Sequence, residues 1–341
     1  MRKGLLKYLT LSALAIIVAG CQSSVSEKWS MKTPDAAPAR TVLLDTMNMR
    51  NPFIYLDKEE LTYYMTGDGG HVWTSKNLQE WCGPYNVLKI DTTVWYGKSA
   101  QITAPEIHKF NDKYYYVATF TRDDSQKNVP NSPVRSCEIL VSDSICGPFV
   151  PTNDSLPLMN IEYSTQSPTF ITDEYGWGYI IYSRNNYDGA NAATQIIMLT
   201  KDLAEQIGDP FTMFKASQNS WSSNSTNAHG SCSPMLDGPF LFDTEGRELG
   251  ILFISQKEGA TAVGVAYTEK NHGLNGPWHI EPEPLLVGGY GQPMLFNDFD
   301  GSLVMLLHKD TIMAGSKKSI PRLIEMDSQY DKLKIKSKYN I

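Results

Sequence analysis

The chain is poor in the residues that build metal centres and disulfide frameworks. It has five cysteines and six histidines in 341 residues, and no two cysteines stand at the short spacing of a metal-binding pair. The scattered histidines form no zinc-type cluster. The chain also lacks a basic cluster, and its formal net charge is −7. This charge pattern argues against nucleic acid as a partner and leaves neutral polymers such as polysaccharides open.

Several catalytic motifs are missing as well. The sequence has no Gly-x-Ser-x-Gly elbow, no phosphate-binding glycine loop and no His-Glu-x-x-His helix. Their absence excludes the hydrolases, nucleotide-binding proteins and metalloproteases that depend on them. The glycines of "GDGGH" and "GGYGQ" follow no strand-to-helix pattern. We interpret both phrases as turns.

Long hydrophobic runs are limited to one, between Leu5 and Ala19, which ends in "VAGC" with small residues directly before Cys21. This pattern is typical of a lipoprotein secretion signal. We predict a signal peptide at residues 1–20, then a lipid-modified Cys21 and a flexible tether at residues 21–40. The expected location is the bacterial cell envelope, at the outer membrane or cell surface, with the lipid anchor as the only membrane contact. An ordinary signal peptide or an uncleaved anchor is the alternative.

Residues 41–341 are predicted to form one domain of repeated units. In each unit a proline opens a short apolar strand, a polar turn follows, and a strand rich in aromatic and branched residues returns. The five prolines are Pro52, Pro105, Pro168, Pro239 and Pro293, which lie 53, 63, 71 and 54 residues apart. A second strand pair follows the hairpins. The pattern predicts an all-β, five-bladed β-propeller with four antiparallel strands per blade, and a β-sandwich is the alternative.

In such a propeller, the residues beside the five prolines should face one another at one mouth of the central channel. The residues concerned are Asn51, Ala104, Ser167, Asp237 and Gln292. We expect a shared pocket there. No cofactor is predicted, and the sequence leaves open whether a calcium ion or a water lies in the channel.

Several phrases carry a resemblance to a known family, in order between Arg50 and His308: "NPFIYLDKEELTYY", "APEIHKFNDKYYYVATF", "LDGPFLF" and "GQPMLFNDFDGSLVMLLH". In these phrases the chain resembles glycoside hydrolase family 43, five-bladed propellers that cleave arabinan, xylan and related side chains. The resemblance implies inverting hydrolysis, in which one carboxyl group takes a proton from water and another protonates the leaving oxygen. A third carboxylate tunes the acid. We expect a polysaccharide or oligosaccharide partner and a monomeric protein.

The catalytic positions implied by the resemblance are largely substituted in this chain. Asn51 stands at the base position, and its neutral amide cannot accept the proton. General-base assistance is worth about 10²- to 10⁴-fold, so this substitution alone weakens the usual mechanism. Ser167 stands at the tuning position, and Gln292 stands where a histidine is common. Asp237 stands at the acid position and keeps a carboxyl group on a shorter side chain.

Further residues are candidates for substrate binding, each with an alternative. Glu106 could replace the missing base or be a buried structural carboxylate, and the second role is favoured. His308 could contact a sugar or pack in the core. Trp95 and Tyr290 could stack on a sugar ring, although most aromatic residues of a propeller belong to its core. Gln292 is expected to contact substrate at the mouth.

Three functional hypotheses follow from these residues. In the first, the protein still hydrolyses a glycosidic bond with Asp237 as the acid. In the second, it is a degenerate enzyme that binds glycans or serves as an accessory protein. In the third, phosphate replaces water as the nucleophile, which would require cationic groups at the mouth, and Arg135 and Arg184 are the available candidates. The third is the least favoured.

Overall fold

The computed structural model describes the chain from residue 39 to residue 337, with gaps. The gaps are 91–93, 98–99, 123–133, 154–155, 186–191, 224, 227–231, 314 and 329–331. The predicted signal peptide, Cys21 and all but two residues of the tether lie outside the described residues. Among those that are described, no helix is long and apolar enough to cross a membrane.

Five antiparallel sheets follow one another along the chain, and the strands pair in sequence order from the inner strand outward, except for one strand in blade one and one in blade four. Blade one contains β1 (Arg40–Leu43), β2 (Phe53–Asp57), β3 (Thr62–Thr66), β4 (His71–Ser75) and β5 (Glu80–Asn86). Blade two contains β6 (Gln101–Phe110), β7 (Lys113–Arg122), β8 (Val134–Ser142) and β9 (Val150–Pro151). Strand β1 adds a fifth strand to blade one, because it pairs with β5 at the outer edge.

The other three blades repeat this order. They contain β10 (Ser164–Thr172), β11 (Gly178–Asn185), β12 (Ala193–Leu199) and β13 (Gln206–Lys215) in blade three; β16 (Asp237–Asp243), β17 (Glu248–Lys257), β18 (Ala260–Glu269), β19 (His279–Ile280) and β20 (Leu286–Val287) in blade four; and β21 (Tyr290–Asn297), β22 (Leu303–Met313), β23 (Ser316–Asp327) and β24 (Lys334–Ser337) in blade five. The ribbon of β14 (Ser225–Thr226) and β15 (Cys232–Ser233) separates blades three and four, and short 3₁₀ helices occupy Leu44–Thr46, Ala216–Gln218 and Lys270–Asn275. In blade four, β20 pairs with β18. The predicted five-bladed β-propeller is confirmed.

Hydrophobic side chains fill the spaces between neighbouring blades. Blades two and three share a buried cluster that includes Val117 and Ile180, and blades three and four share one that includes Phe214 and Phe253. Because neighbouring blades cover the faces of the sheet between them, the middle parts of strands such as β7 and β17 are buried and mostly apolar. The packing fixes the rotation of each blade about the channel.

The ring closes between blade five and blade one through side chains. In the described part of the chain, no strand of blade one pairs with a strand of blade five. A cluster that includes Trp81 of β5 and Leu306 of β22 joins them instead. Two hydrogen bonds cross the same boundary, from the Ser319 backbone to Asn48 Oδ1 at 3.0 Å and from the Met49 backbone to the Ser319 carbonyl at 2.8 Å. We call this boundary the closing seam.

The inner strand of each blade bends at its proline. The residue before the proline has a positive φ in all five blades, at Asn51 (52°), Ala104 (47°), Ser167 (51°), Gly238 (57°) and Gln292 (48°). Four of these residues are not glycine, and a positive φ is strained for them. The pairing of the inner strand with its neighbour shifts at the same place in blades two to five. The bend is therefore a repeated feature of the fold, and it marks the mouth.

Candidate active site

The positive-φ residues of blades one, two and three are tied to the blade that precedes each of them. The Asn51 backbone N–H donates to His308 Nδ1 at 3.1 Å. The Ala104 N–H donates to Asp68 Oδ1 at 3.0 Å, and the Ser167 N–H donates to Thr119 Oγ1 at 2.7 Å. In each pair, the acceptor lies on or just after the second strand of the preceding blade. Hydrogen bonds between blades therefore hold these strand openings around one mouth.

In blade four the equivalent position is Gly238, and Asp237 comes one residue earlier. A Cβ atom on Gly238 would lie 2.9 Å from Gln292 Oε1, so the openings of blades four and five are in close contact. Asp237 is half-buried, and its Oδ1 accepts the Gly238 N–H at 2.9 Å. The predicted set of facing residues is therefore corrected in blade four, because the glycine occupies the bend and the carboxylate lies beside it.

A second carboxylate at this mouth was missed by the sequence analysis. Asp68, in the phrase "GDGGH", accepts hydrogen bonds at Oδ1 from the Asn51 side-chain amide at 2.9 Å and from the Ala104 backbone. Burial raises the pKa of the Asp68 carboxyl above its usual value, and the charge of Asp237 raises it further, although the Ala104 and Asn51 donors and Arg50 oppose the shift. The Asp68 carboxyl is therefore easier to protonate than an exposed aspartate.

Asp68 also forms part of the wall of a cavity of about 490 Å³. Arg50, His71 and Lys317 line the same cavity. Its two cations also interact with Asp310, through Lys317 Nζ at 2.7 Å and Arg50 Nη1 at 3.9 Å. One side of Asp68 is thus open to a space large enough for water and for part of a small ligand.

Glu106 is buried between blades two and three. Its side chain is 2% exposed, and Oε2 accepts hydrogen bonds from Thr169 Oγ1 at 3.0 Å and the Phe170 N–H at 3.3 Å. The same oxygen is 2.7 Å from His108 Nε2. This is the buried structural role that the sequence favoured, and substrate binding by Glu106 is corrected accordingly.

Replacing Glu106 with glutamine should therefore destabilise the fold. We expect the free energy of unfolding to fall by about 1–3 kcal/mol, because a buried hydrogen-bonding group between blades two and three loses its matched partners. Urea unfolding followed by tryptophan fluorescence measures the change. The matched control is Glu174→Gln, because Glu174 is exposed in a turn and should be nearly neutral. Equal stability of the two variants would contradict the structural role.

Tyr290 and His308 are also buried. Tyr290 is 2% exposed and belongs to the core between blades four and five, so the prediction that it stacks on a sugar is corrected. His308 is likewise 2% exposed. Burial, together with the nearby charge of Arg50, lowers the pKa of His308 to about 3. The imidazole is therefore neutral and accepts the Asn51 N–H. Of the two roles considered for His308, this is packing in the core.

Ser167 and Gln292 do lie at the mouth, by their positions at the bends, and each is mostly buried. The backbone carbonyl of Trp95 accepts a hydrogen bond from Arg122 Nη1 at 3.2 Å, and the Trp95 ring is half-buried. Sugar contacts by Gln292 and Trp95 stay predictions. Within the described ranges, no three His, Cys, Asp or Glu side chains are grouped as a metal ion would require.

The two arginines of the phosphorolysis hypothesis interact with neutral neighbours. Arg135 Nη1 donates to Gln166 Oε1 at 3.1 Å. The Arg184 guanidinium lies 3.7 Å from the centre of the Tyr163 ring, in a second cavity of about 460 Å³ that Gln195 and Gln206 also line. Both contacts orient the guanidinium groups toward polar and aromatic side chains of blade three.

The strand order and the repeated bends define a five-bladed propeller whose strand openings meet at one mouth. The chain belongs to glycosyl hydrolases family 43, whose model matches residues 45–318. No curated protein matches the chain.

Among solved structures, the chain is similar to an endo-arabinase from Bacteroides thetaiotaomicron VPI-5482, with 26% identity, a TM-score of 0.71 and coverage of 83% of this chain and 95% of that one. An endo-1,4-beta-xylanase from the same organism shares 17% identity, with a TM-score of 0.63 and coverage of 88% and 97%. An alpha-L-arabinanase from Cellvibrio cellulosa, complexed with arabinohexaose, shares 13% identity, with a TM-score of 0.55 and coverage of 82% and 92%. The last two similarities show the fold alone.

Proposed function

We propose that this protein hydrolyses O-glycosyl bonds in arabinan- or xylan-like polysaccharides or oligosaccharides. The observation that carries the proposal is Asp237, a half-buried carboxyl group at the acid position of a family 43 propeller. The similarity to an endo-arabinase over most of both chains supports arabinan-like substrates. No cofactor is needed for this chemistry, because the two carboxyl groups of an inverting glycosidase supply both proton transfers.

Asp237 is the acid in this proposal. Its Oδ1 is held by the Gly238 N–H, which leaves Oδ2 to carry the proton toward the leaving oxygen of the glycosidic bond. As the bond between the anomeric carbon and that oxygen breaks, the proton neutralises the developing alkoxide.

The second candidate is a glycan-binding or accessory protein without turnover. The observation that favours it is the neutral character of Asn51 and Ser167, which hold the base and tuning positions of the family pattern. An amide and a hydroxyl are good hydrogen-bonding partners for sugar hydroxyls. Such a site would retain its carbohydrate and leave the glycosidic bond intact.

The experiment that separates the two candidates measures turnover and binding on the same samples. The purified mature protein is incubated with linear arabinan, arabinoxylan, xylan, galactan and the nitrophenyl arabinosides and xylosides, and released reducing sugar or nitrophenol is followed. Affinity electrophoresis on the same polysaccharides measures binding. Turnover supports hydrolysis, and binding without turnover supports the accessory role. The absence of both turnover and binding would contradict both candidates.

We also propose that Cys21 is lipidated and anchors the protein to the bacterial cell envelope, at the outer membrane or cell surface. The support is the sequence around the cysteine, an apolar run followed by "VAGC" and a polar segment rich in serine, alanine and proline. A glycan hydrolase held there would meet polysaccharides that are too large to enter the cell.

The anchor is tested by replacing Cys21 with serine. We expect the wild-type protein to be found in the membrane fraction and to incorporate labelled palmitate, since acyl chains hold a lipoprotein at the membrane surface. The Cys21→Ser protein should incorporate no label and should leave the membrane fraction. Cys82→Ser is the matched control, because Cys82 lies in strand β5 of the propeller. Unchanged labelling of Cys21→Ser would refute the anchor.

A further inference from the structure

We propose that Asp68 is the general base of this site and that Asn51 is its positioning residue. The proposal rests on the proposed hydrolase function and adds the group that the substituted base position lacks. Asp68 lies outside the proline-centred phrases and was interpreted as a turn residue from the sequence. Its role follows from four observations. The Asp68 backbone is held from two blades, one carboxylate oxygen is bound, the equivalent positions of other blades use neutral acceptors, and Asp237 lies at the same ring of strand openings.

The backbone of Asp68 is held in place from two blades. Its N–H donates to the Arg50 carbonyl at 3.0 Å, and the next N–H, that of Gly69, donates to the Ile102 carbonyl of blade two at 2.9 Å. The preceding residue, Gly67, has no room for a side chain, because a Cβ atom there would lie 2.5 Å from Met49 Cγ. The carboxylate therefore starts from a rigid position between the openings of blades one and two.

The side chain presents one bound oxygen and one available oxygen. Oδ1 accepts from Asn51 Nδ2 at 2.9 Å and from the Ala104 N–H at 3.0 Å. Within the described part of the chain, no hydrogen bond ends on Oδ2. A general base requires this arrangement, because one oxygen must be oriented while the other accepts a proton from water. The Asn51 amide thus supports a neighbouring carboxylate at the position where the family pattern has a base.

A capping role alone does not account for a carboxylate here. The equivalent N–H of blade three is satisfied by the hydroxyl of Thr119, and that of blade one by the neutral imidazole of His308. A single neutral acceptor is therefore sufficient to hold a strand opening. Asp68 brings a charge and a second oxygen in addition, and burying a charge is costly unless it is used or compensated.

Asp68 lies at the same ring of strand openings as the proposed acid. Gly238, next to Asp237, approaches Gln292, and Asn51 contacts both Asp68 and His308 of blade five. The charge of Asp237 contributes to raising the pKa of the Asp68 carboxyl, next to the larger effect of burial. A raised pKa makes the ionised carboxylate a stronger proton acceptor. Inverting hydrolysis requires two carboxyl groups with different roles, one on each side of the scissile bond, with room for the attacking water.

The reaction balances with these two groups alone. Asp68 Oδ2 takes a proton from water as the water oxygen forms a bond to the anomeric carbon. The bond from that carbon to the leaving oxygen breaks, its electron pair stays on the oxygen, and Asp237 donates the proton. The products are a sugar of inverted configuration and an alcohol. Asp68 then loses its proton to solvent and Asp237 regains one.

The first experiment compares Asp68→Asn, Asp68→Ser and the control Asp300→Asn on the substrate that wild type turns over best. Serine keeps an oxygen that can accept the Ala104 N–H, just as the hydroxyl of Thr119 accepts the Ser167 N–H at the next blade. The control residue Asp300 lies exposed in a turn. We expect both Asp68 variants to fold, to bind substrate, and to lose about 10²- to 10⁴-fold in kcat. Asp300→Asn should match wild type.

The second experiment adds azide to Asp68→Ala with a nitrophenyl glycoside. Azide needs no base, so it should attack the anomeric carbon in the space left by the carboxylate and give a glycosyl azide of inverted configuration, identified by NMR. A residue that only holds the backbone would give no such product. A folded Asp68→Ala protein that forms no glycosyl azide would therefore overturn the proposal.

The third experiment tests Asn51 through the pH profile of kcat/KM. The base must be ionised, so activity should rise with pH through the raised pKa of Asp68. Asn51→Ala removes a donor to the ionised carboxylate, which raises that pKa further and should move the acidic limb to higher pH. Alanine is tolerated at this backbone conformation, because Ala104 has a similar φ in blade two. An unmoved acidic limb would contradict the positioning role.

The outcomes separate this proposal from the proposed function. If wild type turns over, Asp237→Asn abolishes turnover and Asp68→Asn keeps it within threefold, the base assignment is wrong and the hydrolase function stands. If wild type binds glycans and hydrolyses none, both are wrong. Turnover that depends on both aspartates, with azide rescue at Asp68 only, supports both.

Discussion

Asp237→Asn is expected to lower kcat by about 10²- to 10⁴-fold, the usual contribution of a general acid. The amide has the same shape as the carboxyl group and can still accept the Gly238 N–H, so the bend of blade four should survive. KM should change little, because the substituted group acts mainly on the leaving oxygen in the transition state. Initial rates on a nitrophenyl arabinoside or xyloside and on a polysaccharide measure the change.

The leaving group supplies the control for this result. A nitrophenolate leaves without a proton, whereas a sugar alcohol requires one, so the loss should be much larger on the polysaccharide than on the nitrophenyl glycoside. Asp243→Asn is a matched variant, because Asp243 ends the same strand and is exposed. A uniform loss on both substrates would indicate that Asp237 does not act as the acid.

Trp81→Ala is expected to destabilise the protein by about 3–5 kcal/mol, as removal of a buried aromatic side chain usually does. The Trp81 side chain is fully buried, with 0% exposure, in the cluster that joins blades one and five. Its indole N–H donates to the Leu78 carbonyl at 3.0 Å, so the substitution removes a hydrogen bond along with the packing. Chemical unfolding at equilibrium measures the loss.

The control for this variant is the replacement of an exposed apolar residue in blade five, the blade that packs against Trp81. Ile312 of β22 is 79% exposed, and Ile312→Ala should change stability by less than about 0.5 kcal/mol. A loss in Trp81→Ala as small as that of Ile312→Ala would show that the closing seam contributes little to stability.

The fold could be predicted from sequence because its repeat is local. Each proline is followed within a few residues by its strand, turn and returning strand, so the five-fold pattern is visible along the chain. The two strands of each predicted hairpin pair with each other in the structure. Asp237 could be placed near the mouth for the same reason, since it lies two residues before a landmark proline.

The errors in the site come from the bends at the prolines. Alternation along a regular strand would place Tyr290 on the same face as Gln292, but the register shift between Gly291 and Met294 breaks the alternation and turns Tyr290 into the core. The amino-acid composition of the segment does not reveal that the residue before the proline adopts the left-handed backbone conformation.

Asp68 could not be found because its partners are distant in sequence. It lies 17 residues from Asn51 and 36 from Ala104, and the Ala104 contact forms only when blades one and two come together around the channel. The phrase "GDGGH" contains the glycines of a turn, and a turn is what the structure shows. Whether Asp68 can take part in chemistry depends on which strand opening its carboxylate contacts.

The closing seam has a consequence for how the ring can be cut. Many cyclic assemblies of sheets are fastened by a strand borrowed from the opposite end of the chain, and relocating the termini then destroys a sheet. Here the N-terminal strand β1 stays within its own blade, and the two ends of the described chain belong to different, complete sheets. A circularly permuted gene that joins the present ends and begins in the segment between β5 and β6 would keep every sheet intact.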